Sequence, residues 1–224
     1  MKSFIIHLSK MPTSLESALV VKQTLDNFNM DAELFEGSYG SIIKEQYIKN
    51  NRQWHPWGFK GRDKPYTDED KKSLWGIAGE MGCFDSHYRL WQRCIKLNEP
   101  ILIFEDDVEL VRPYIPVEWD DVLSVAFSHT KKMAKYQHYL DNPLGEPCAS
   151  EYGQSSMPGN GGYAIKPHAA KILVNEYKNT YLPADNAINQ HLVKIQIHNY
   201  MMGKARSKHD GNISLIRTKI WDNQ

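Results

Sequence analysis

Three adjacent carboxylates, Glu105, Asp106 and Asp107, follow directly on the apolar run Ile101-Leu102-Ile103-Phe104. Such a run, mostly β-branched or aromatic, predicts a strand buried on both faces. Carboxylates crowded at its end repel one another, and desolvating even one without a partner is costly. A divalent cation removes that conflict, and hard oxygen ligands select magnesium or manganese over zinc. The carboxyl ends of strands in an open α/β sheet are also where ligands bind. The acids therefore predict a divalent metal held against a substrate phosphate. The alternative is a solvated turn that merely ends the strand.

The elements that must position these acids come from both sides in sequence. Phe4–Leu8 (FIIHL) predicts a first strand, and helical spacing follows from Leu15 to Phe28 with Ser14 as its N-cap. Ala32–Gly37 (AELFEG) predicts a second strand, which completes a strand-helix-strand unit of a parallel sheet. His7, Leu8, Lys10, Glu36 and Gly37 lie at these strand ends, either beside a nucleotide or as ordinary surface residues. Gly79–Pro100 predicts a long helix with Cys83, His87, Leu90, Trp91 and Cys94 on one face, and taken alone His87 reads as a core histidine. Val122–Phe127, Tyr163–Ile165 and Val193–Tyr200 predict further strands, and Pro167 opens a helix over His168–Tyr177. Gly159, Gly161 and Gly162 mark a close backbone approach, but no GKS or GKT follows, so they form no Walker loop. Asp185, after Pro183, sits where a helix N-terminus favours a carboxylate.

Residues 41–73 are polar and weakly periodic, and are expected as a loop. Its stretch Asn51–Tyr66 alternates basic and aromatic side chains, Trp54 and Trp57 among them. Aromatic faces stack on bases or sugars and basic side chains meet phosphates, so this is the expected acceptor side; a small satellite core is the alternative.

The 224 residues carry 27 basic and 27 acidic side chains, so global charge advertises no polyanionic partner. No Gly-, Ser- or Pro-rich linker divides the chain, and one domain over residues 1–224 is expected. The apolar runs are strand-sized, short of the roughly 20 residues of a membrane span. Three cysteines without CxxC spacing predict neither a disulfide framework nor a zinc knuckle. A cytoplasmic protein, bacterial or in a phage-infected host, is expected.

Four segments, in order, resemble glycosyltransferase family 25, the lipooligosaccharide and procollagen galactosyltransferase family. GEMGCFDSH (Gly79–His87) is similar to its G-E-x-G-C-x-x-S-H helix and IFEDD (Ile103–Asp107) to its acidic metal motif. GNGGYAI with Ala169-Ala170, and LPADNAI (Leu182–Ile188), are similar to its later segments. The resemblance implies an α/β fold of the GT-A, Rossmann-like type, with a mixed, mainly parallel sheet flanked by helices. It implies a nucleotide-sugar donor such as a UDP-sugar, manganese or magnesium, and inverting transfer of a hexosyl or pentosyl group. Asp107 with Glu105 would hold the metal, beside Asp106 at the donor diphosphate. Ser86 and His87 would support the donor pocket, and Gly161, Gly162 and Tyr163 would line the sugar or acceptor side. Direct displacement needs a base for the acceptor hydroxyl; Asp185 takes that role by its place in the Pro-x-Asp segment, with Glu109 and His168 in reserve. Residues 1–40 would form the donor unit, 41–73 an acceptor-side insertion and 79–200 the metal and sugar core.

Ser9-Lys10 stands where the family often carries two arginines after its first strand, and no long basic tail follows. Two acceptors therefore stand side by side: a glycan or lipooligosaccharide, and a hydroxymethylated base in phage DNA. Two other classes compete. A metal-dependent nucleotidyltransferase or nuclease also places paired acids at a strand end, and a non-catalytic nucleic-acid-binding module would use the basic, aromatic stretch.

Overall fold

Strand β1 (Lys2–His7) leads into helix α1 (Pro12–Asn27), which returns the chain to β2 (Ala32–Glu36), parallel to β1 from Ser3 opposite Ala32 to His7 opposite Glu36. This is the expected opening unit. The structure, a computed structural model, describes residues 1–54, 78–127, 144–145 and 160–205. Helix α1 begins earlier than expected, because the fixed φ of Pro12 suits the first helical position. Ser14 is therefore inside the first turn and is not its cap.

The stretch from residue 41 is not all loop. Helix α2 (Gly40–Lys49) is followed by the short β3 (Gln53–Trp54). Only Ile43 and Tyr47 bury α2's middle, so its apolar stripe was too thin to read. Residues 55–73 of the expected loop lie outside the described residues. Helix α3 (Ala78–Leu97) leads to β4 (Ile101–Glu105), β5 (Val108–Leu110), β6 (Val122–Phe127) and the two-residue β7 (Leu144–Gly145). Then come β8 (Asn160–Ile165), α4 (Pro167–Glu176), β9 (Thr180–Tyr181), the one-turn α5 (Ala184–Ala187), β10 (Ile195–His198) and β11 (Gly203–Ala205). Asparagines at positive φ follow α1, α2 and α3: Asn29 at 56°, Asn51 at 50° and Asn98 at 54°. Asparagine enters this region more readily than other side chains, which suits the end of a helix.

One nine-stranded sheet runs in the order β2-β1-β4-β8-β6-β10-β7, with β11 joining β6 to β5. Strands β1, β2, β4, β6, β10 and β11 point one way, and β5, β7 and β8 the other. The α/β class and the mixed sheet are as expected. The reversed β8 lies between β4 and β6, with Gly162 opposite Phe104. A Cβ on Gly162 would lie 2.6 Å from the Phe104 ring, so the strand beside the acids needs glycine there. A two-stranded parallel pair, β3 with β9, stands apart.

Alternation along the strands builds a core on each face. Phe4, Ile101, Ile103, Tyr163 and Ile165 join α2, α3 and α4 on one side. Ile5, Leu102, Phe104 and Ala164 join α1 on the other. Phe84 and Leu90, both fully buried on α3, each contribute roughly 1.5–3 kcal/mol by leaving water. Helix α3 also meets the start of α2 backbone to backbone, and a Cβ on Gly82 would lie 2.5 Å from the Ser38 carbonyl oxygen. That crossing anchors the helix that carries His87.

Candidate active site

The two-residue period of β4 decides where the acids go. Ile101 and Ile103 face α3, and Glu105, two residues on, meets the same helix: its Oε1 lies 3.4 Å from His87 Nε2. Asp106 falls to the other face, where the Ser14 hydroxyl of α1 donates to it. That hydroxyl also accepts from the Leu8 backbone N–H at 2.9 Å. Asp107 completes the turn into β5. The adjacent carboxylates are thereby split between two layers.

His87 is buried and held from behind. Its Nδ1 lies 2.9 Å from the Tyr163 hydroxyl, which accepts at 2.8 Å from Trp91 Nε1–H. The His87 and Tyr163 rings stack at 5.7 Å between centroids. Indole nitrogen only donates. The arrangement that satisfies every group therefore has Trp91 donating to Tyr163, Tyr163 donating to His87 Nδ1, and His87 Nε2–H facing Glu105. Cys83, His87 and Trp91 stand four residues apart on α3, so one helix face carries the series.

The electrostatics around Glu105 are one-signed. Burial raises its carboxyl well above the usual range, and the charges of Asp107, Asp185 and Asp106 raise it further. Burial likewise lifts the Cys83 thiol, with Glu105, Asp185, Glu80 and Asp107 adding to it. Desolvation lowers His87 to about 4, so it is neutral at physiological pH. Helix α5 packs on α3 and brings Asp185 into this field from 80 residues downstream of Glu105. Carboxylates from β4, its turn and α5 thus act on one another here, and oxygen donors of this kind suit a hard divalent cation.

Next to this cluster are the carboxyl ends of β1 and β2. Ile6 pairs with Glu105 across the sheet, and His7, one residue on, is buried with its Nε2 3.7 Å from Glu36 Oε2. His7 Nδ1 is buried with no hydrogen-bond partner. Burial draws the Glu36 carboxyl upward; hydrogen bonds from the Tyr39 hydroxyl and from Ser9, with His7 nearby, outweigh it and leave it low. Lys10 Nζ lies over the Tyr39 ring at 5.3 Å. Gly37 N–H donates to the His7 carbonyl at 2.7 Å. Ser9 and Tyr39 were missed in the sequence, where nothing distinguishes them from other loop residues.

Other expected site residues have their own partners. Ser86 is buried, donating to the Gly82 carbonyl and accepting from the Ser38 N–H; it fixes the loop after β2. Asp85 and Arg89 bind the Ser38 hydroxyl in the same network. Tyr163 is fully buried and meets His87 and Trp91 instead of lining a sugar surface; Gly161 and Gly162 are also buried. Glu109 is exposed on β5 and pairs with Lys204 at 3.3 Å. His168 is exposed beside Asp121, just beyond Ile165, which pairs with Ile101 at the end of β4 away from Glu105. Trp54 ends β3 opposite Tyr181, and Trp57 lies outside the described residues.

The family model described as glycosyltransferase family 25 (LPS biosynthesis protein) matches residues 1–188. Over 122 residues the chain is 28% identical to the lipooligosaccharide biosynthesis protein lex-1 of Haemophilus influenzae, covering 49% of this chain and 40% of that protein. Over 66 residues it is 41% identical to the lipooligosaccharide biosynthesis protein lic2B of Haemophilus influenzae, covering 28% of this chain and 25% of that one. A glycosyltransferase 25 family member of Aedes aegypti is 27% identical over 113 residues, 50% of this chain and 16% of that protein. The matched segments thus span less than half the length of each of these relatives. Among solved structures, mouse xyloside xylosyltransferase 1 in its apo form aligns with a TM-score of 0.30 at 10% identity, over 83% of this chain and 79% of that one. No helix among the described residues is long and apolar enough to cross a membrane. With the model matched from the first strand through the Pro-x-Asp segment, the chain belongs to glycosyltransferase family 25.

Proposed function

We propose that this chain transfers a sugar, with inversion, from a nucleotide-sugar donor to an acceptor hydroxyl, as one domain working in the cytoplasm where such donors are made. The observation that carries the reading is Glu105, at the carboxyl end of β4, raised by its burial and by the charges of Asp107 and Asp185, in a chain of this family. Glu105 and Asp107 would hold manganese or magnesium, which when bound neutralises charge building on the departing diphosphate. His87, fixed by Tyr163 and Trp91, orients Glu105. His7, Leu8, Lys10, Glu36 and Gly37, with Ser9 and Tyr39, form the donor edge, where the Glu36 carboxylate suits ribose hydroxyls. Asp185 takes the proton of the acceptor hydroxyl as the new bond forms. Glu109 and His168, each paired away from the cluster, are not needed for that role.

The names of the lex-1 and lic2B relatives favour a lipooligosaccharide-type glycan acceptor. Duplex DNA with hydroxymethylated bases is the second acceptor to assay, and a steep salt dependence of binding would mark it. The test of the chemistry is Asp185→Asn. Turnover should fall by roughly a hundredfold or more while donor binding, read by thermal shift with manganese, stays near wild type. Equal loss of both would remove Asp185 from the base role.

A further inference from the structure

We infer that Cys83, His87 and Glu105 form a second cation site, selective for a thiophilic ion of the zinc class, that excludes the hard cation by taking its Glu105 ligand. Their candidate ligand atoms, Cys83 Sγ, His87 Nε2 and a Glu105 oxygen, all lie within 4.8 Å of one another. Two of them come from one helix at i and i+4, the spacing that points paired side chains at a single ion. The third is delivered from β4 by the alternation already described.

The His87–Glu105 distance is the second observation. At 3.4 Å it is long for an N–H···O hydrogen bond, which clusters near 2.9–3.0 Å. Two bonds of about 2.0–2.1 Å meeting at a tetrahedral angle place their outer atoms about 3.3–3.4 Å apart. The pair is therefore already spaced for an ion between them, with Cys83 Sγ within 4.8 Å of both. A sulfur, nitrogen and oxygen set of three protein ligands, with a fourth position open, is the zinc pattern and not that of magnesium or manganese. Carboxylates of Asp107, Asp185 and Glu80 near Cys83 add a favourable field for a cation.

Coordination needs the Cys83 thiolate and the Glu105 carboxylate, and the protons they carry in the metal-free protein leave to solvent. His87 stays neutral and moves its proton to Nδ1, where the Tyr163 oxygen accepts it. The zinc-class ion thus uses the opposite histidine tautomer from the one that supports Glu105. The exclusion of the hard cation rests on the function proposed above; the site itself does not.

Cobalt(II) is the probe, added to the purified chain free of other metal. A thiolate-to-cobalt charge-transfer band should rise to one equivalent per chain, vanish on added zinc, persist in Cys148→Ser and be absent in Cys83→Ser. X-ray absorption of the zinc-loaded wild type, which needs no variant, should show one sulfur among nitrogen and oxygen neighbours. No band in the wild type, a band retained in Cys83→Ser, or a zinc shell without sulfur would overturn the site. Equimolar zinc should also suppress manganese-supported sugar transfer, with recovery in excess manganese. Absence of any sugar transfer would count against the proposed function while leaving the cobalt result standing.

Discussion

Replacing Tyr163 by phenylalanine removes one oxygen and tests the hydrogen-bonded series behind Glu105. The side chain is fully buried, so water does not restore what is lost. Trp91 Nε1–H loses its acceptor at 2.8 Å and His87 Nδ1 its donor at 2.9 Å. A buried polar group left unsatisfied costs about 1–3 kcal/mol, so the two together destabilise the fold by about 2–6 kcal/mol. For a chain of this size that is a fall in Tm of roughly 4–24 °C. The second effect is on the cation. Without the Tyr163 hydroxyl, His87 Nδ1 loses the donor that fixes the tautomer presenting Nε2–H to Glu105, and loss of such support weakens metal binding by roughly tenfold or more. Thermal unfolding with and without manganese, and calorimetric titration of manganese, read both effects. Tyr88→Phe is the comparison, because its hydroxyl also donates in the core, to the Val174 carbonyl of α4 at 3.3 Å, and not to His87 or Glu105. It should lower Tm and leave manganese affinity unchanged. An unaltered Tm in Tyr163→Phe would refute the network, and a lowered Tm with wild-type manganese affinity would refute its orienting role.

In metal-free protein, His87 stays neutral to about pH 4 when folded and gains a proton near 6.5 when unfolded. The unfolded state therefore binds more protons between those values, and stability present above pH 6.5 is lost as pH falls toward 4. The loss is about 3 kcal/mol, and denaturant titrations of His87→Gln should show a correspondingly flatter acid slope; an unchanged slope would contradict the assignment. Gly82→Ala places a methyl against the Ser38 carbonyl and Gly40, and should cost about 1–3 kcal/mol or more by chemical denaturation. A neutral effect would contradict the close crossing of α2 and α3. Arg52 lies over the rings of Tyr47 at 4.6 Å and Tyr88 at 4.5 Å and donates to the Thr180 and Tyr177 carbonyls. Arg52→Lys lacks the planar fork and should lose about 2–3 kcal/mol; full retention of stability would show that charge alone suffices.

The parts of the fold governed by strong local signals were legible. The apolar run of β4, the one-sided face of α3 and the opening strand-helix-strand unit each carry their own periodicity. Helix α2 was not legible because Ile43 and Tyr47 supply most of its buried stripe. Strands β5 and β11 are three residues each, too short for a pattern, and their pairing is a long-range event. The acids were found because carboxylates after a buried strand are an electrostatic conflict visible in sequence. Their division between His87 and Ser14 follows from the same alternation, once α1 and α3 are known to lie on opposite faces. The burial of Tyr163 and Ser86 was hidden for a different reason. Both lie in segments that resemble family motifs, and a motif position does not distinguish a residue facing the ligand from one holding its neighbour. Ser9, in the turn after β1, and Tyr39, in the loop after β2, reach Glu36 only in the folded chain.

The most direct measurement of the central claim is release of nucleoside diphosphate from a panel of nucleotide sugars offered with a glycan acceptor. Manganese and chelator, wild type and Asp107→Asn, would be run side by side. The account predicts release from one donor that requires manganese and falls to the chelated level in Asp107→Asn. Release that persists in chelator, or that Asp107→Asn supports as well as wild type, would show that the acidic turn is not where the donor's cation is held.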